Sequence, residues 1–273
     1  MIGKNEINTR AKAEGLRFDQ IERDYVLVWV LRGLSELKPE GWTFKGGTCL
    51  RHCYYSGYRF SEDLDFSCSE ESGDVERTTS YLQGVAEWIQ KNSLLQASLK
   101  EVKASEGDFQ LEIPIEYCRG GTRRHGLPAI KLHLTFDEPI LTAPELQTVR
   151  PPYSDLSSFT VMAYSKEEII AEKMRALIQQ QRKWPRPRDL YDLWFIFSQE
   201  REVYDWRRLH GLFAEKCRAR QIKPDPSLLV SATLKNINER VWRRQLGMLM
   251  KEVPRFEDVW SDWVTFCKHR FRS

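Results

Sequence analysis

At 273 residues, with 41% hydrophobic and 30% charged side chains and nine tryptophans, the chain can bury a sizeable core, which excludes a disordered polymer. Its 42 Lys and Arg nearly cancel its 39 Asp and Glu, so net charge alone calls for no nucleic-acid partner. The longest apolar run, residues 25–31, is too short to cross a bilayer and the N-terminus carries no apolar signal core, so a cytosolic protein without membrane contact is expected.

Residues 24–37 carry apolar side chains at helical spacing and predict a buried helix. Residues 42–44 read as a short strand ending in Gly46 and Gly47, and residues 48–57 suit a helix closed by Gly57. Leu64 and Phe66 then alternate with Asp63 and Asp65, as in a strand with one buried face. Residues 81–92 predict a helix with Leu82, Val85, Trp88 and Ile89 as its apolar stripe. Two alternating segments, 109–117 and 130–137, flank Gly120, Gly121 and Thr122 and predict an antiparallel hairpin, with Pro114 marking an edge or a bulge. Residues 143–158, rich in proline, serine and polar side chains, read as the connection between two parts of the protein.

After a short strand at 159–163 the chain turns helical. Ser165 with Glu168 makes a capping box, and Ile169, Ile170, Met174, Leu177 and Ile178 supply a core face. Helical patterns continue through 188–197 to the C-terminus, without repeats. The fold class is therefore α+β, a mixed sheet region followed by an all-helical one. Six cysteines show no paired metal-ligand spacing and read as reduced thiols. Cys49, His52 and Cys53 lack the second pair that a structural zinc site needs. Basic residues gather in the second half, around 182–188, 207–208, 218–220 and 240–244; that pattern fits a phosphate-binding surface and also solvated helix faces.

The chemistry lies in FKGGTCL at 44–50 and RFSEDLDF at 59–66. Asp63 and Asp65, two apart on a strand, project to one face and repel each other unless a cation lies between them. Mg²⁺ answers this, since it takes oxygen ligands from one or two carboxylates plus substrate phosphates. The Gly47-Thr48 helix start offers backbone N–H groups to phosphate, and Lys45 and Arg59 add charge beside it. Together these describe nucleotidyl transfer, in which a metal-bound triphosphate meets an acceptor hydroxyl. Taken separately, the fragments also fit a strand-to-helix turn and a solvated strand end.

These two segments resemble the signature of the AbiEii/AbiGii toxin family of nucleotidyltransferases, within the polymerase-beta-like superfamily. There a Gly-Gly or Gly-Ser turn precedes a paired-Asp strand. Ile130-Lys131-Leu132, SKEEIIAEK at 165–173 and RDLYDL at 188–193 agree in order. The resemblance implies a bilobed protein: an N-terminal nucleotidyltransferase domain over 1–150, its mixed sheet flanked by helices, a C-terminal helical domain over 151–273, and an active site in the cleft between them. It implies that Lys45, Gly46, Gly47, Thr48, Arg59 and Lys131 bind nucleotide phosphates. Asp63 and Asp65 would hold Mg²⁺ or Mn²⁺, Lys173 would contact the phosphates, and Asp192 or Asp189 would serve as an acid.

Several of these positions carry two readings. Lys166 and Lys173, seven apart, share a helix face that can point at a ligand or pair with Glu168 and Glu172. RDLYD fits a catalytic acid and equally a helix start bearing surface charges. His133 falls where related enzymes commonly carry a third acid; imidazole can bind metal or position an acceptor but is a poor substitute around Mg²⁺, so it reads as a bystander, with Glu112, Glu116 or the helical-domain Asp open to fill the place. The functional expectation is transfer of a nucleoside monophosphate from an NTP to a macromolecular acceptor, tRNA before protein. The resemblance adds a toxin of a bacterial toxin–antitoxin pair active in abortive phage infection, with a cognate antitoxin. The alternative is a silent NTP- or RNA-binding module on the same fold. Walker and kinase-loop motifs are missing from the chain.

Overall fold

A computed structural model gives the structure and describes residues 1–69, 75–100, 103–104, 110–118, 128–181, 184–200 and 204–270. The chain forms two compact units, Met1–Tyr164 and Ser165–Ser273. The first contains helices α1 (Lys4–Glu14), α2 (Phe18–Leu37), α3 (Gly46–Cys49) and α4 (Val75–Asn92). Its strands are β1 (Trp42–Lys45), β2 (Asp63–Cys68), β3 (Gln96–Leu99), β4 (Lys103–Ala104), β5 (Gln110–Cys118), β6 (Ala129–Thr135), β7 (Glu145–Val149) and β8 (Phe159–Ala163). They build one mixed sheet of order β3-β5-β6-β2-β1-β8-β7, with β4 also on β5. Strand β2 runs parallel to β6 and β1 parallel to β8; the other pairs are antiparallel.

The predicted hairpin is β5–β6, although its Gly120–Gly121 turn lies outside the described residues. Pro114 sits where the outer side of β5 passes from β3, which ends opposite Ile115, to β4, which faces Leu111 and Glu112. No strand partner is lost there, because proline has no N–H to give. Residues 151–164, read from sequence as the start of the second domain, contribute β8 to this sheet, and the compact units divide after Tyr164. The helix expected over 48–57 is also different. It starts at Gly46, passes into a π-helical turn at Leu50–Tyr54 and stops there, leaving Gly57 at φ +72° in the following loop.

Helix α2 buries residues 24–31 without a break, including Asp24. That carboxylate lies 3.1 Å from Arg51 Nε and 3.1 Å from His52 Nε2, and accepts from the Tyr153 hydroxyl at 2.5 Å. Arg51 reaches on to Glu14 at 2.6 Å. His52 thus serves a buried network that joins α1, α2 and the π-turn. Beside it Cys49 is an ordinary buried thiol, its pKa pushed up by burial and by Cys53.

Burial alone would raise the Asp24 carboxyl, but the charges of Arg51 and His52 outweigh it and hold the group below its ordinary range. A depressed folded pKa means that the stabilisation is complete above pH ~4 and drains away as pH falls further. The urea midpoint should therefore decline between pH 5 and pH 2, and less steeply in Asp24→Asn. Parallel slopes in the two proteins would remove Asp24 from the account.

The second unit holds α5 (Lys166–Gln180), α6 (Pro187–Gln199), α7 (Trp206–Ala219), α8 (Ala232–Glu239), α9 (Trp242–Leu246) and α10 (Phe256–Arg270). Ser165 Oγ accepts from the Glu168 N–H at 3.2 Å, as the capping pattern predicts. Phe197, Trp206, Trp263 and Phe266 meet stacked, tilted or edge-on, with Phe197 and Phe266 centroids 4.0 Å apart, and tie α6, α7 and α10 together. No helix among the described residues is long and apolar enough to cross a membrane.

Candidate active site

Strand β2 buries Leu64 and Phe66 and leaves Asp63 and Asp65 half-buried on its other face, as the alternation predicts. It lies in the middle of the sheet, between β1 and β6. Asp65 stands opposite Lys45 on β1 and His133 on β6, and Asp63 stands opposite Lys131. His133 Nδ1 lies 3.0 Å from Asp65 Oδ1, each side chain about a third exposed. The residue read as a bystander thus touches the paired acids. Lys131 is exposed on the same strand. Glu112 pairs with His133 in backbone register, its side chain lying outside the described residues; Glu116 instead meets Lys100 at 2.6 Å.

Both glycines of the turn have a reason inside the fold. Gly46 has φ +79°, a left-handed conformation, and a Cβ there would stand 2.6 Å from Asp65 Oδ2. A Cβ on Gly47 would stand 2.8 Å from the Arg59 guanidinium and 3.0 Å from Ser61 Oγ. The helix start is therefore pressed against Asp65 on one side and Arg59 on the other. Thr48 is fully buried and its hydroxyl donates to the Asp63 carbonyl at 2.5 Å, fixing the helix to β2. Lys45 Nζ lies 2.8 Å from Glu138, both almost wholly buried, and Arg59 donates to the Phe60 carbonyl at 3.0 Å. No side chain caps the helix, and the first N–H groups of a helix lack intrahelical acceptors.

In the helical unit Lys173 Nζ lies 2.6 Å from Asp192 and 3.1 Å from Asp189, and Arg186 Nε lies 3.3 Å from Asp189. Burial would raise the Asp189 carboxyl; Lys173, Arg186 and Arg188 overcome that and hold it below its ordinary range. Lys173, Asp189 and Asp192 form one buried cluster. Lys166 pairs with Glu200 at 2.6 Å, and Glu168 pairs with Lys216 at 2.8 Å, both fully buried. Sequence reasoning missed Glu138, Arg186 and Lys216 as partners.

Among the described residues no three His, Cys, Asp or Glu side chains converge into a ready-made metal cluster. Asp63 and Asp65 nevertheless fit a hard divalent cation, which needs only one or two protein carboxylates and completes its shell with water and phosphate oxygens.

The profile of the nucleotidyl transferase AbiEii toxin family, of the type IV toxin–antitoxin systems, matches residues 29–265. No curated protein matches the chain. Among solved structures it resembles MenT4, a nucleotidyltransferase toxin from Mycobacterium tuberculosis H37Rv, at 18% identity and TM-score 0.69, over 98% of this chain and 90% of that one. It also resembles JHP933 from Helicobacter pylori, at 16% identity and TM-score 0.59, over 93% and 92% of the two chains.

Proposed function

This chain belongs to the AbiEii nucleotidyltransferase toxin family, and from that premise we propose that it moves a nucleoside monophosphate from an NTP to the end of an RNA, tRNA before other acceptors, in the cytosol. The observation that supports this most is the packing of the Gly46–Gly47 helix start against Asp65, with Thr48 fastened to the Asp63 backbone. It sets the first N–H groups of a helix that no side chain caps next to two carboxylates on one strand face.

In the proposed reaction the acceptor hydroxyl oxygen attacks the α-phosphorus, its proton passes to water, and the bond from the α-phosphorus to the bridging oxygen breaks to release diphosphate. Asp63 and Asp65 are proposed to hold Mg²⁺ or Mn²⁺, which supplies charge stabilisation at the phosphates when bound. The N–H groups of Gly47 and Thr48 bind phosphate oxygens, with Lys131 and Arg59 adding positive charge. Lys45, neutralised by Glu138, supports the turn from beneath. Lys173 contacts the nucleotide's phosphates, and Asp192, with Asp189 beside it, keeps the lysine charged and aimed. His133 orients Asp65. The biological role we infer is that of a toxin in abortive phage infection, restrained by a cognate antitoxin.

The test is incubation with each α-³²P-labelled NTP, Mg²⁺ or Mn²⁺, and total tRNA or cell protein. Wild type should label RNA, and Asp63→Ala and Lys173→Ala should not. Equal labelling by all three would overturn the site; transfer from γ-labelled but not α-labelled NTP would replace nucleotidyl by phosphoryl transfer.

A further inference from the structure

Eight of the nine tryptophans are buried or half-buried, whereas Trp184 is 73% exposed. A single exposed aromatic is unremarked on a protein surface by itself. This one stands on a stiffened mount. Pro185 and Pro187 fix φ on either side of Arg186, and Pro187 opens α6. The Arg186 N–H donates to Gln180 Oε1 at 2.6 Å, from a glutamine side chain almost wholly buried in α5. The chain that follows the indole is thus held in place, so less backbone freedom is lost when something stacks on it.

Charge surrounds the mount. Arg186 and Arg188 are both exposed, and both act on Asp189 together with Lys173. Two residues beyond Trp184, Arg186 begins a run of ion pairs through Asp189 to Lys173. Counting Lys173, Arg186 and Arg188 against Asp189 and Asp192 leaves one net positive charge, which favours a polyanion. An unpaired base stacks on an aromatic face while its phosphates are met by arginine.

We propose that Trp184 is the platform on which an unpaired base of the RNA acceptor stacks, with Arg188 meeting an adjoining phosphate. The inference rests on the RNA-acceptor reading above and adds the residue that recognises the strand's single-stranded end.

Binding of a fluorescein-labelled RNA of about twelve nucleotides, a span one stacking groove can cover, is measured by anisotropy across a KCl series for wild type, Trp184→Ala, Trp184→Phe and Arg188→Gln. Transfer kinetics on total tRNA are measured in parallel. Trp184→Ala should weaken RNA binding about tenfold and raise KM for RNA, with Trp184→Phe restoring most of the loss. The salt slope should stay unchanged in Trp184→Ala and fall by about one in Arg188→Gln. Circular dichroism should show both Trp184 variants folded, since the side chain is exposed. RNA labelling and binding that Trp184→Ala leaves untouched, or a phenylalanine variant as weak as the alanine one, would overturn the platform alone. Label that wild type places on protein and never on RNA would overturn the acceptor reading and the platform with it.

Discussion

Asp65→Ala should reduce nucleotidyl transfer by on the order of 10²–10³-fold, the usual cost of removing a preorganised group that stabilises transition-state charge. Asp65→Asn should be nearly as severe. Asparagine keeps the size that fits beside Gly46, where Asp65 Oδ2 lies 2.6 Å from the position of a Cβ, and can still bond His133 Nδ1 at 3.0 Å. It lacks only the negative charge. The pair therefore separates charge from packing: folding should survive in Asp65→Asn while the label is lost. Direct Mn²⁺ binding, followed by the fading of the free-ion paramagnetic signal, should weaken in both variants. Full activity in Asp65→Asn would show that the carboxylate acts by shape, and a metal role for it would fall.

What could be read beforehand follows from how each signal is written in a chain. Alternation of Leu64 and Phe66 with Asp63 and Asp65 has a period of two, so strand β2 and its polar face were visible at once. The same holds for β6 and the face that carries Lys131 and His133. Strand β7 was hidden, because ELQTV is exposed or half-exposed along most of its length at the sheet edge and offers no alternation. Helix α1 was hidden for a similar reason: Ile7 and Ala11 are its only buried residues.

Register and ion pairing leave no local trace at all. Lys45 meets Glu138 and Glu168 meets Lys216 only after the chain has folded back, so a lysine next to the glycine turn reads as a phosphate ligand until its partner is known. His133 illustrates the same limit from the other side. Its place opposite Asp65 follows from the parallel pairing of β2 with β6, which neither strand's own sequence encodes. The glycines combine both cases: the turn was legible, but the close approach of Asp65 and Arg59 that requires them was not.

Lys216→Met should destabilise the protein by about 3–5 kcal/mol, the cost of stranding one charge of a buried pair. Glu168 and Lys216 both have fully buried side chains 2.8 Å apart, joining the first turn of α5 to α7. Methionine fills most of the volume of the lysine stem, so the loss would come from the uncompensated Glu168 carboxylate rather than from a cavity. Adding Glu168→Leu should recover most of it, because a buried pair replaced by apolar side chains of similar size is often neutral or better. Urea midpoints of the wild type, both single variants and the double variant close the cycle. A midpoint unchanged by Lys216→Met would mean that the pair holds nothing together. A double variant as weak as the single one would trace the cost to packing. Because α5 carries Lys173 about one and a half turns beyond Glu168, the double variant also has a functional reading: if it regains stability and transfers label at the wild-type rate, the pair serves only to hold the helix in which Lys173 stands.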